Sequence, residues 1–174
     1  MDKNELIRFI QNIDSELSTS CEIILVGGAA MILHFGAQRA TRDIDALVLR
    51  GSVNDLRQAV KNVAKRNDLP EDWLNDAVKG FADILPPDFQ ERLTLLNVST
   101  SKVRVYVLGR AEQTAMKIVA LREQDLEDLE ILMPSLSDDD KKILVKIMNH
   151  VGKFRVDWAM RIKYFLEEQG WPIE

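Results

Sequence analysis

The chain has little of several things, and each shortage narrows what it can be. Cys21 is the only cysteine among 174 residues, so no internal disulfide can form and the chain reads as cytosolic, in a reducing compartment. With only two histidines, His34 and His150, far apart along the chain, one cysteine gives no recognisable zinc ligand set. Basic excess is missing too. The formal net charge is -5, which argues against a surface coated for duplex nucleic acid. No apolar run reaches the ~18 residues of a membrane span, and the charged N-terminal segment lacks a signal-peptide core. Internal repeats and low-complexity segments are likewise absent. What is present is a 46% hydrophobic composition, enough to build the core of one compact domain.

The patterning alternates helix and strand. Leu6, Phe9, Ile10, Ile13 and Leu17 recur at three- and four-residue steps, predicting a helix over about residues 3–17. "CEIILVGG" reads as a buried strand stopped by glycine, and "AAMILHFG" as a helix closed at Gly36. "RDIDALVL" is a further strand, with Ile44, Ala46 and Val48 on one face and Asp43, Asp45 and Leu47 on the other. "SVNDLRQAVKNVAKRND" is a surface helix. Residues 68–92 read as a helical excursion closed by Pro86-Pro87, and "TLLNVSTSKVRVYVLG" as a hairpin. From Ala111 onward the pattern is helical, with Ser137 suited to cap a helix whose first turn is acidic. The fold class expected is α/β (α+β), a small mixed sheet flanked by helices. A core over residues 1–133 would precede a C-terminal helical segment, 134–174, packed on it.

Two features carry chemistry. Gly27-Gly28 lies at a strand-to-helix junction; it is either a tight turn that excludes a Cβ or a place where backbone N–H groups receive a phosphate. It is neither a P-loop nor a dinucleotide fingerprint, since no "GK[ST]" and no "GxGxxG" follows. Asp43 and Asp45 are more informative. Strand alternation puts both carboxylates on one face with Cα atoms ~6.6 Å apart, and aspartate is depleted in strands. Such a pair is stable when solvated, when one acid is protonated, or when a cation lies between them. Magnesium is the hard cation that shares carboxylates with substrate phosphates.

The two features stand fifteen positions apart (43 − 28), room for one helix and a loop. In this order "VGGAAMILHFGAQRATRDIDALV" resembles the DNA polymerase β-like nucleotidyltransferase superfamily. A second segment, "TAMKIVALREQDLEDLEIL", resembles the distal motifs of its minimal members of the abortive-infection and toxin-antitoxin type. Their small relatives carry a helical excursion like that at Trp73-Leu74-Asn75. The resemblance spans about residues 22–133. It implies Mg²⁺-dependent (or Mn²⁺-dependent) transfer of a nucleotidyl group from an NTP to an acceptor hydroxyl on RNA such as a tRNA end, on a protein or on a small molecule. A cognate partner protein is possible in a toxin-antitoxin or phage-defence setting, and the alternative is a non-catalytic nucleotide- or partner-binding module of the same fold. Position by position, Asp43 and Asp45 would bind metal, and Gly27 and Gly28 would hold the triphosphate with Thr41 and Arg42. Lys117 would contact the nucleotide, while Arg122, Asp125 and Asp128 would organise the site and orient that lysine.

One departure stands out. Many members carry a third metal carboxylate on a later strand, where "KVRVYVL" has Arg104 and Tyr106 instead. Asp125 or Asp128 could complete the metal site, the second metal could be held only through substrate, or catalysis could be lost. Arg39, Arg42, Lys102, Arg104 and Arg110 are the expected local basic rim for an RNA acceptor.

Overall fold

The computed structural model describes residues 1–76 and 79–171. The chain groups into two compact units, Met1–Lys79 with Leu93–Leu108, and Gly80–Arg92 with Gly109–Glu174. The expected boundary near residue 134 lies inside the second.

In the first unit the N-terminal periodicity becomes α1 (Lys3–Glu16), started by a reciprocal cap between Asp2 and Glu5 and burying Leu6, Phe9, Ile10 and Ile13. The apolar run that follows is β1 (Cys21–Val26), of which only Glu22 is not buried. Its glycines open α2 (Gly27–Ala30), which passes directly into a π-helical turn, Met31–Phe35, ended by left-handed Gly36. Next come β2 (Ile44–Arg50) and α3 (Val53–Asn67), the latter capped by Ser52. The remaining strands are β3 (Leu74–Asn75), β4 (Thr94–Leu95) and β5 (Val103–Val107).

These form one mixed five-stranded sheet in the order β3-β2-β1-β5-β4, so the fold is mixed α/β with a helical C-terminal part. β1 pairs antiparallel with β2 and parallel with β5, and β3 runs parallel to β2. The expected hairpin is β4 antiparallel to β5, with Thr94 opposite Val107. Asp14 of α1 fastens the start of β5: its carboxylate accepts the backbone N–H groups of Ser101, Lys102 and Val103, at 2.6–3.1 Å. Burial opposes ionisation there, but those hydrogen bonds prevail and hold the acid below its ordinary range.

The excursion departs from expectation. Leu74–Asn75 is strand, not helix, because Trp73 is pinned. Its indole N–H donates to Val60 O of α3 at 3.1 Å, and its ring meets Phe9 edge-on at 5.5 Å. With the Trp73 carbonyl accepting from Ile44 N at 2.8 Å, the next two residues have nowhere to go but along β2. Helix returns as α4 (Lys79–Ala82); of the remaining excursion, residues 77 and 78 lie outside the described residues.

The second unit is helical, as its pattern foretold. It contains α5 (Arg110–Ala120), α6 (Glu123–Leu132), α7 (Asp138–Val151) and α8 (Val156–Glu168). α5 packs against each of the other three, which explains why Ala111 to Val119 are all buried rather than only one stripe. Ser137 caps α7 reciprocally with Asp140. No helix among the described residues is long and apolar enough to cross a membrane.

Candidate active site

Antiparallel pairing sets Val26, the last residue of β1, opposite Asp45, the second of β2. The glycine turn and the acidic strand therefore emerge at one end of the sheet. Gly27 has φ +61°, a left-handed conformation that side chains rarely adopt, and a Cβ on it would stand 3.2 Å from Asp45 Oδ2. A Cβ on Gly28 would meet Thr41 Oγ1 at 3.0 Å and the Arg39 guanidinium at 3.4 Å. Both glycines are thus demanded by close approach. What they leave is a backbone turn faced by a carboxylate on one side and by a hydroxyl and a guanidinium on the other.

The loop between helix and strand is itself ordered by hydrogen bonds. Thr41 Oγ1 donates to Asp43 O at 3.1 Å, and Thr41 N donates to Met1 O at 2.9 Å. Asp43 and Arg42 are exposed, and Asp45 is half-buried. Asp45 Oδ1 accepts a long hydrogen bond, 3.4 Å, from Asn75 Nδ2 on the neighbouring strand. A cavity of about 340 Å³ opens beside the loop, lined by Asn4, Ile32, His34, Gln38 and Arg39 among others. Its volume is within the range of small-molecule sites, roughly 300–1,000 Å³.

The geometry brings together Gly27, Gly28, Arg39, Thr41 and Asp45; Asp43, expected on the strand face with Asp45, instead lies in the loop one residue before β2, because its backbone carbonyl is tied to Thr41 Oγ1. The Asp45 carboxylate beside a turn cleared of side chains, with exposed Asp43 two residues away, is a hard-oxygen set of the kind that could hold Mg²⁺, an ion that takes one or two carboxylates and fills its remaining positions with water and phosphate oxygens. Among the described residues no group of three or more His, Cys, Asp or Glu side chains is placed to hold a metal ion. On β5, Arg104 is paired with Glu22 at 3.5 Å, and Tyr106 lies beside Ile24.

The basic rim does not assemble as expected. Parallel register sets Val103 beside Cys21 and Arg104 beside Glu22, at the start of β1 and away from Asp45. Lys102 there donates its ammonium to Leu17 O at 2.6 Å, tying the start of β5 to the end of α1.

In the second unit Lys117 is 4% exposed. Its ammonium lies 2.8 Å from Asp125 Oδ1 and 2.6 Å from Asp128 Oδ2. Asp125 also accepts from Arg122 N at 3.0 Å and Arg122 Nε at 2.9 Å. Burial opposes ionisation of Asp125, and the Arg122 and Lys117 hydrogen bonds outweigh it, holding this acid below its ordinary range. The four residues singled out in the distal segment thus meet as one ion cluster, with Lys117, Asp125 and Asp128 buried and Arg122 closing it from the exposed side. Asp125 and Asp128 both hold the lysine head, each through one carboxylate oxygen.

Sequence reasoning gave Asn75 no role. The signal was there in "LPEDWLND", where two apolar residues and a polar one after a proline turn fit a short edge strand as well as a helix. Comparison with known proteins agrees with the geometry. Residues 4–163 match the family described as "Nucleotidyltransferase of unknown function (DUF6036)", and the chain belongs to that family. No curated protein and no solved structure matches it.

Proposed function

With membership of a nucleotidyltransferase family as the premise, we propose that the chain transfers a nucleotidyl group from an NTP to an acceptor hydroxyl, using a divalent cation at Asp43 and Asp45. The observation that carries this is the fit of the glycine turn against Asp45: 3.2 Å from Oδ2 to the point a Cβ would occupy. Triphosphate and carboxylates can meet there only because nothing projects from the turn.

In the reaction the acceptor oxygen attacks the α-phosphorus. A new P–O bond forms, the bond to the oxygen bridging the β-phosphate breaks with its electron pair, pyrophosphate leaves, and the hydroxyl proton passes to water. A bound Mg²⁺ or Mn²⁺ supplies charge neutralisation at the phosphates and eases deprotonation of the acceptor. Asp43 and Asp45 hold that cation on one side of the turn. Arg39 faces Gly28 and offers a guanidinium to phosphate oxygens, Thr41 orders the loop through its hydroxyl bond to Asp43 O, and exposed Arg42 extends that cationic side. Lys117 serves the second unit as an organising charge, its ammonium being shared by two carboxylates.

Incubating the chain with α-labelled NTPs, Mg²⁺ and total RNA or protein tests this reading. Label should appear in an acceptor and disappear in the Asp43→Ala, Asp45→Ala double variant. Transfer that survives the double variant, or that ignores chelation of the cation, refutes it. A non-catalytic nucleotide-binding module is the second reading, favoured by Arg104 and Tyr106 standing on β5. Nucleotide binding without transfer in the same assay would establish it.

A further inference from the structure

The edge strand β3 has two residues, and it is anchored far more firmly than so short an element requires. At one end Trp73 is 1% exposed and tied to both α1 and α3 through its ring and indole N–H. At the other, Asp76 accepts from Arg57 Nε of α3 at 2.9 Å. Between these anchors Leu74 turns inward at 7% exposure and Asn75 turns outward.

Parallel pairing makes Asn75 the register partner of Asp45, and paired residues of adjacent strands project from the same face. Val26 is the partner of Asp45 on its other side. Asp45 is therefore bracketed, with the glycine turn at one flank and a neutral amide at the other. The amide meets Oδ1 while Oδ2 faces Gly27, which divides the labour of the two carboxylate oxygens. An amide can donate to a carboxylate or present its own oxygen to a hard cation.

We infer that Asn75 is a positioning residue for the cation site: its amide donates to Asp45 Oδ1 and fixes the rotamer of that carboxylate, on a sheet whose β5 carries no acid. This rests on the carboxylate-pair reading of the preceding subsection. A neutral amide in this place leaves the site with the two negative charges of Asp43 and Asp45, so cation affinity is completed by the triphosphate rather than by the protein alone. Metal and nucleotide then bind interdependently.

Mn²⁺ binding to the full-length chain, followed by electron paramagnetic resonance of the free ion with and without a non-hydrolysable NTP, tests the inference without requiring turnover. Asn75→Ala should weaken Mn²⁺ binding roughly tenfold or more, the scale on which groups orienting metal ligands act. Asn75→Asp should tighten Mn²⁺ binding in the absence of nucleotide and reduce the gain that nucleotide brings, because added ligand charge raises cation affinity. Thermal melts of both variants should match the parent, which separates positioning from a purely structural edge strand. If Asn75→Ala binds Mn²⁺ within about twofold of the parent while Asp45→Ala loses it, the inference fails and the function stands. If neither Asp45→Ala nor Asn75→Ala changes Mn²⁺ binding, the carboxylate-pair reading fails and takes this inference with it.

Discussion

Replacing Lys117 by methionine separates its two conceivable duties. The side chain is 5% exposed, and its carboxylate partners are each 1% exposed, so solvent screens the cluster little. Methionine keeps the bulk of the stem and removes the charge. Asp128 then loses its ammonium partner and Asp125 retains only Arg122, whose own side chain is 72% exposed. Stripping one partner from a buried ion cluster costs about 3–5 kcal/mol, since the carboxylates left behind lose a counter-charge that water does not replace. For a chain of this size each kcal/mol moves the melting temperature by about 2–4 °C, so a drop of about 10 °C is expected in the helical unit. Circular dichroism at increasing temperature measures it directly. Adding Asp125→Asn and Asp128→Asn to Lys117→Met should recover part of the loss, because no unpaired charge then remains. The same comparison at falling pH gives a second check: the depressed Asp125 acid contributes stability above the unfolded pKa of about 4 and loses it as pH drops through the folded value. A Lys117→Met protein melting within about 2 °C of the parent, with nucleotide affinity lost instead, would refute the organising role and return this lysine to the nucleotide.

Two further perturbations follow from the first unit. Gly27→Ala combines left-handed strain of about 1–2 kcal/mol with a methyl 3.2 Å from Asp45 Oδ2. Gly36→Ala, at φ +88° with nothing within 4 Å, carries the strain alone. Both should lower the melting temperature, Gly27→Ala by the larger amount, whereas only Gly27→Ala should depress Mn²⁺ binding; equal binding in the two would show that the turn does not shape the carboxylate site. Asp14→Asn should cost about 1–3 kcal/mol, the usual worth of hydrogen bonds to a charged group, and should flatten the acid limb of the pH–stability curve, since the parent acid is depressed and its contribution vanishes as pH falls through its folded pKa. An unchanged acid limb in urea titrations would show that Asp14 does not fasten β5.

Much of this was legible in the residues because it is local. Apolar spacing fixed α1 to within a residue, Ser137 announced α7, and the interval from Gly28 to Asp43 held the single helix and loop it had room for. What could not be read was set by distant partners. "DWLN" becomes an edge strand through the grip of α3 and α1 on Trp73, residues ten or more positions away in sequence. The basic rim failed for a similar reason: parallel register, invisible in any one strand, carries Lys102 and Arg104 to the far end of β1. For Lys117 the resemblance implied that Asp125 and Asp128 orient it, whereas its own sequence neighbours are apolar; packing of α6 on α5 is what brings both acids to its head.

The pairing of β1 with β2 also bears on the order in which the sheet can be built. Val26 and Asp45 are 19 positions apart (45 − 26), while Leu25 and its β5 partner Val107 are separated by 82 (107 − 25). Closing the shorter loop spares about 1.3 kcal/mol of chain entropy, roughly two doublings of loop length. The turn and its facing carboxylate therefore belong to the cheaper of the two pairings that β1 makes. A ribosome-bound chain has both β1 and β2 before β5 is synthesised, so the corner that sets the glycine turn against Asp45 needs none of the later strands to form.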